Sequence, residues 1–288
     1  MLLSQNSSLF FTILTLGWGR ARVGRVYIKC EPHCWTSDVQ TNVAMKALVF
    51  LVLLEAAFAA AADDKIVGGY ECLKQSVPYH ALLKRGYFFC HGALISSQWV
   101  LSTVHCYNIG IMVQLGERDD TENESTMQLI NSARVLKHPL YNSLTQEHNI
   151  MLIKLITPAI INSYVQPVPL PSRCPVADEM CLVSGWSSST SAKGSYYSAR
   201  LQCLRQPIIS DSICRSIYFS FTDNMVCCGF MQEVTGSCSR DYGSPLVCSG
   251  QLQGVFAWGD ESTPPGYPSV FTRVCRYISW INGTMQNS

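Results

Sequence analysis

From residue 66 onward the chain is built of short apolar runs set between polar turns. Over residues 66–160, runs such as Tyr79-His80-Ala81-Leu82-Leu83 and Trp99-Val100-Leu101-Ser102 are broken by Gly, Asn and charged residues, which is the pattern of β-strands bounded by turns. Residues 170–275 repeat it, as in Gln253-Gly254-Val255-Phe256-Ala257-Trp258. Helical spacing appears only at the end, where Val274, Ile278, Ile281 and Met285 put an apolar stripe on one face of a terminal helix. An all-β body closed by one helix fits two packed barrels. The Pro-containing connection over residues 157–175 is the expected link, giving barrels of about residues 66–168 and 169–288.

The N-terminal part reads differently. Residues 45–60 begin Met45-Lys46, continue through an apolar run and end in small residues, the form of a secretory signal peptide. Such a signal belongs at an N-terminus, so Met45 is the expected start and residues 1–44 a gene-model extension or an alternative first exon. The rival signal, residues 9–16, is too short to span a bilayer. Both readings send the protein into the secretory pathway, with no stable membrane anchor.

Composition adds two constraints. The net charge of the 288 residues is +1, so nothing points to nucleic acid or to an anionic membrane surface. Fourteen cysteines without metal-type Cys-x-x-Cys pairs indicate a disulfide framework formed in an oxidising compartment. Asn123-Glu124-Ser125 and Asn282-Gly283-Thr284 have the form of glycosylation acceptors.

Three stretches carry candidate chemistry: Trp99-Val100-Leu101-Ser102-Thr103-Val104-His105-Cys106, Asn149 before Ile150-Met151-Leu152-Ile153-Lys154-Leu155, and Cys238-Ser239-Arg240-Asp241-Tyr242-Gly243-Ser244-Pro245. With the junction Asp63-Asp64-Lys65-Ile66-Val67-Gly68-Gly69, they make residues 66–286 resemble the trypsin family almost without gaps. The resemblance implies two six-stranded antiparallel barrels with a C-terminal helix. It also implies disulfides Cys72 to Cys203, Cys90 to Cys106, Cys174 to Cys275, Cys181 to Cys248 and Cys214 to Cys227. Cys238 lacks its usual partner, since Ser262 stands there, and Cys228 is extra. A bond between these two and a pair of unpaired thiols are both open. Residues 61–65 look like an activation peptide, cut after Lys65 by an activating protease so that the freed Ile66 amine pairs with Asp241. The acidic run, Asp63-Asp64, is shorter than the family's usual four aspartates.

The same resemblance shows where the chemistry departs. His105 stands at the general-base position, where an imidazole can shuttle a proton near neutral pH. Asn149 stands for the orienting acid; an amide can hold the ring but cannot stabilise an imidazolium, and this change in a Ser-His-Asp triad costs about 10⁴ in rate. Tyr242 stands for the nucleophilic serine, and a phenol of pKa about 10 is scarcely ionised at neutral pH and far bulkier. In the oxyanion loop, Arg240 replaces a glycine beside Asp241. In the specificity pocket, Gly236 replaces the floor aspartate and Ser269 a wall glycine, while Trp258 and Gly259 are kept. Glu117, Asp119, Glu122 and Glu124 match a calcium loop, with Met127 in place of one ligand, so weak calcium binding is the expected cofactor chemistry.

These features lead to a secreted, extracellular, monomeric serine protease homologue without hydrolytic power. It is expected to bind a protein or peptide partner, protease inhibitors among them. The alternative is a serine-type endopeptidase, the reading that overall resemblance implies.

Overall fold

The computed structural model describes residues 69–86, 88–116, 126–187, 197–231, 241–259 and 266–288. Ala62–Ser288 forms one compact unit, and residues 1–61 lie outside the described residues. So do the expected signal and activation peptides with Lys65 and Ile66, the calcium-loop carboxylates Glu117, Asp119, Glu122 and Glu124, and Gly236, Cys238 and Arg240.

The first barrel comprises β2 (His80–Arg85), β3 (Phe88–Ser96), β4 (Trp99–Ser102), β5 (Met112–Leu115), β6 (Gln128–Lys137) and β7 (Met151–Leu155). These close in the order β2-β3-β4-β7-β6-β5. The second is made of β8 (Met180–Ser187), β9 (Tyr197–Ile209), β10 (Met225–Cys228), β11 (Pro245–Cys248), β12 (Gln251–Trp258) and β13 (Ser269–Arg273). It runs β9-β10-β13-β12-β11-β8 and is closed by the pairing of β8 with β9. All these pairs are antiparallel, and closure leaves neither barrel with a free edge. A short helix α1 (Asp211–Ile217) follows β9, and α2 (Ile278–Gln286) ends the chain. Among the described residues no helix is long and apolar enough to cross a membrane.

The segments flanking the two barrels cross over between them. Strand β1 (Tyr70–Glu71) precedes the first barrel in sequence but pairs with β9 of the second, Tyr70 opposite Cys203. Helix α2 follows the second barrel, yet its Trp280 ring meets the His138 ring of the first at 5.0 Å. Lys154 of β7 donates to the Ser288 backbone oxygen at 2.7 Å.

The period-2 pattern explains where the core lies. In β7, Met151, Ile153 and Leu155 point into the first barrel with Leu83, Val113 and Leu115, whereas Leu152 faces the seam between barrels with Leu101, Val255 and Ile281. A strand buried on both faces reads as a continuous apolar run. Val183, Leu246, Phe256 and Phe271 fill the second barrel. A one-residue slip in β7 would exchange its seam and interior sets, which fixes its register.

All five expected disulfides form: Cys72–Cys203, Cys90–Cys106, Cys174–Cys275, Cys181–Cys248 and Cys214–Cys227. Each restricts the unfolded chain by about 2–4 kcal/mol. Among the described residues Cys228 is an unpaired, buried thiol; Cys238, the partner considered for it, lies outside them.

Candidate active site

The site lies where the two barrels meet. Behind β4 the chain makes a single 3₁₀ turn, Val104–Cys106, and His105 is its middle residue. The Cys106 N–H bond to the Thr103 carbonyl (3.0 Å) closes this turn, and the Cys90–Cys106 bridge pins it to β3. Burial lowers the pKa of His105 below the ordinary imidazole value, because desolvation penalises the cation.

Tyr242 meets it from the second barrel. The two rings stack with centroids 3.7 Å apart and planes 25° apart, and the tyrosine also touches Phe256 at 5.8 Å. Its loop is held by backbone bonds: His91 N–H donates to the Tyr242 carbonyl at 2.8 Å, Gly243 N–H to Phe256 O at 2.9 Å, and Ser244 N–H to Asp241 O at 2.9 Å. Gly243 has φ +85°, and a Cβ there would lie 2.0 Å from the His91 carbonyl oxygen. Only glycine lets the loop turn this close to β3.

Asn149 is buried beside His105 but does not hold its ring. Its Oδ1 accepts from the backbone N–H of His105 at 3.3 Å, and its Nδ2 donates to Gln146 Oε1 at 3.0 Å. The expectation that the amide could orient the imidazole is therefore corrected: both amide ends are committed elsewhere. Among the described residues no hydrogen bond reaches either ring nitrogen of His105. The neighbouring polar side chains do not replace Asn149. Glu147 accepts from Thr222 Oγ1 at 2.8 Å and from Asn224, and His148 Nδ1 lies 3.2 Å from the Tyr277 hydroxyl.

Asp241 is 1% exposed and has a partner that the sequence did not advertise. One carboxylate oxygen lies 3.0 Å from His91 Nε2. Behind it, His91 Nδ1 lies 3.1 Å from His80 Nε2, and His80 Nδ1 lies 2.7 Å from Ser184 Oγ. The chain Ser184, His80, His91, Asp241 runs entirely through buried residues, with the His91 ring stacked on Trp186 at 5.9 Å. Burial, and secondarily the neighbouring His91, push the His80 pKa well below its ordinary value. Gly185 makes room for the carboxylate, since a Cβ there would fall 2.0 Å from Asp241 Oδ2. His80, His91 and Gln146 are thus the residues that sequence reading missed. The one available signal was two histidines at inward positions of otherwise apolar strands.

The pocket side is brought together in part. Trp258, at the end of β12, packs edge-on to Tyr218 at 4.9 Å, and the Tyr218 hydroxyl donates to Pro268 O at 2.7 Å. A Cβ on Gly259 would lie 3.6 Å from Ser269 Cα. Ser269 is buried at the start of β13, opposite Cys228 of β10.

Two six-stranded antiparallel barrels with a histidine turn from one facing a nucleophile-position loop of the other define the two-barrel serine peptidase class. The trypsin family profile matches residues 66–281. The chain is 49% identical to a trypsin of Xenopus laevis over 245 residues, covering 85% of this chain and 100% of that protein. It is 48% identical to serine protease 1 of Canis lupus familiaris, covering 84% and 99%, and 51% identical to trypsin-3 of Salmo salar, covering 78% and 95%. The chain belongs to the trypsin family.

Proposed function

We propose that this trypsin-family protein is secreted, does not hydrolyse peptides, and acts by binding a protein or peptide partner, such as a protease inhibitor, through the cleft between its barrels. The observation that carries the reading is the Tyr242 ring stacked on His105 at 3.7 Å. The aromatic ring fills the space between the general-base position and an incoming carbonyl, and the imidazole lacks the carboxylate that would stabilise its cation. Neither a small hydroxyl nucleophile nor an oriented base is then available.

Cleavage after Lys65 is proposed to switch that binding. The freed Ile66 amine would approach a buried Asp241 whose carboxylate already faces His91 at 3.0 Å. A positive group arriving there must displace His91 or share the carboxylate with it, either of which moves the loop carrying Tyr242. Equal partner affinity before and after the cut would rule this out.

The second reading, a working serine-type endopeptidase, is favoured by the 48–51% identity to proteins named trypsin and serine protease 1. The two separate in one experiment. Cleaved protein is incubated with a broad peptide library, and in parallel is titrated with a proteinaceous trypsin inhibitor by calorimetry. Inhibitor binding without turnover supports the first reading; turnover supports the second.

A further inference from the structure

Asn282-Gly283-Thr284 lies within α2 and takes no part in the site. We infer that Asn282 carries an N-linked oligosaccharide, an inference that rests on the proposal that the chain is secreted.

The phase of the helix makes the position accessible. Ile281 is fully buried in the seam between the barrels and Met285 packs on the same cluster, whereas Asn282 and Gln286 are exposed. A sugar on Asn282 leaves α2 free to dock; one a residue earlier or three residues later would not. Among the described residues no hydrogen bond engages the Asn282 side chain. Next to it, a Cβ built on Gly283 meets nothing within 4 Å. The first sugars therefore extend from an exposed, uncrowded face of the helix.

Timing follows from the geometry. Residues two apart on a helix do not face each other, so Asn282 and Thr284 can be read together only while the segment is extended. Nine residues are too few for a stable isolated helix, and α2 stays unformed until the barrels exist to receive it. In the transfer, the Asn282 amide nitrogen bonds to the anomeric carbon of a lipid-diphosphate-linked oligosaccharide. The sugar–phosphate C–O bond breaks, the lipid diphosphate leaves with its electron pair, and the nitrogen gives up one proton.

The test expresses the full chain in cells with a secretory pathway and compares it with Asn282→Gln, Thr284→Ala and Asn123→Gln variants. Enzymatic removal of N-linked sugars converts a modified Asn282 to Asp, read by peptide mass spectrometry. The expected result is occupancy at Asn282 that survives Asn123→Gln and is lost completely in the other two variants. Secreted protein bearing no sugar at Asn282 overturns the inference alone. Chain recovered only in the cytosol overturns both the inference and the secretory reading beneath it.

Discussion

Replacing Tyr242 with serine restores the residue type of an active trypsin at the nucleophile position, yet it should destabilise this protein. Tyr242 packs against the interior clusters of both barrels and stacks on His105. Truncating a fully buried large aromatic costs about 3–5 kcal/mol; Tyr242 is half-buried, so about half of that applies, or about 2 kcal/mol. Loss of the ring stack adds about 0.5–1.5 kcal/mol, for a total near 3 kcal/mol. With a urea m-value of about 3 kcal/mol/M for a domain of this size, the midpoint should fall by about 1 M at unchanged m. Equilibrium urea unfolding of the disulfide-intact protein measures it. Tyr242→Phe keeps the ring and should shift the midpoint little, because among the described residues no hydrogen bond reaches the hydroxyl. Removing the ring should also rehydrate His105, so its imidazole pKa, followed by NMR, should rise toward the ordinary value. A serine variant as stable as the parent, with an unmoved His105 titration, would show that the ring is not a strut and that the stack does not exist in solution.

Three other outcomes follow from the buried polar groups. His80 is held neutral in the fold, with a pKa well below its unfolded value, so below about pH 6.5 the unfolded chain binds a proton that the native state refuses. Stability should therefore fall as pH drops below about 6.5, by up to about 1.4 kcal/mol per pH unit from this residue, and His80→Gln should flatten that slope in urea titrations. A double-mutant cycle on His91→Gln and Asp241→Asn should give a coupling energy of about 1–3 kcal/mol, and a coupling near zero would mean that the 3.0 Å approach carries no energy. Burial raises the pKa of the Cys228 thiol far above the ordinary range, so peptide mapping should find Cys228 unlabelled by maleimide at pH 8 in the native protein and labelled in denaturant.

Much of the fold could be read directly because its signals are local. Alternating runs marked strands such as β2 and β12, and the 274–285 stripe marked α2; the five bridges that form were implied only by the family resemblance. What could not be read is pairing at a distance. For Tyr70, the apolar pattern gives no sign that it will lie opposite Cys203 rather than in the first barrel; only the Cys72 to Cys203 bridge implied by the family resemblance pointed there. His80 sat inside an apolar run without any cue that Ser184, 104 residues later, would meet it. At the site, Tyr242 and Asn149 were legible as departures in residue type, but their consequences depend on geometry. The pattern could not show that the phenol would lie flat on His105, nor that Asn149 would hold the histidine's backbone while its ring went unheld.

The claim that Tyr242 has replaced catalysis with a plug is tested most directly by turnover. Chain 66–288, released by cutting after Lys65 and confirmed folded, is incubated with a broad peptide library alongside Tyr242→Phe. No cleavage by either protein is the predicted result. Cleavage by the parent that disappears in the phenylalanine variant would make the phenol a working nucleophile and contradict the claim.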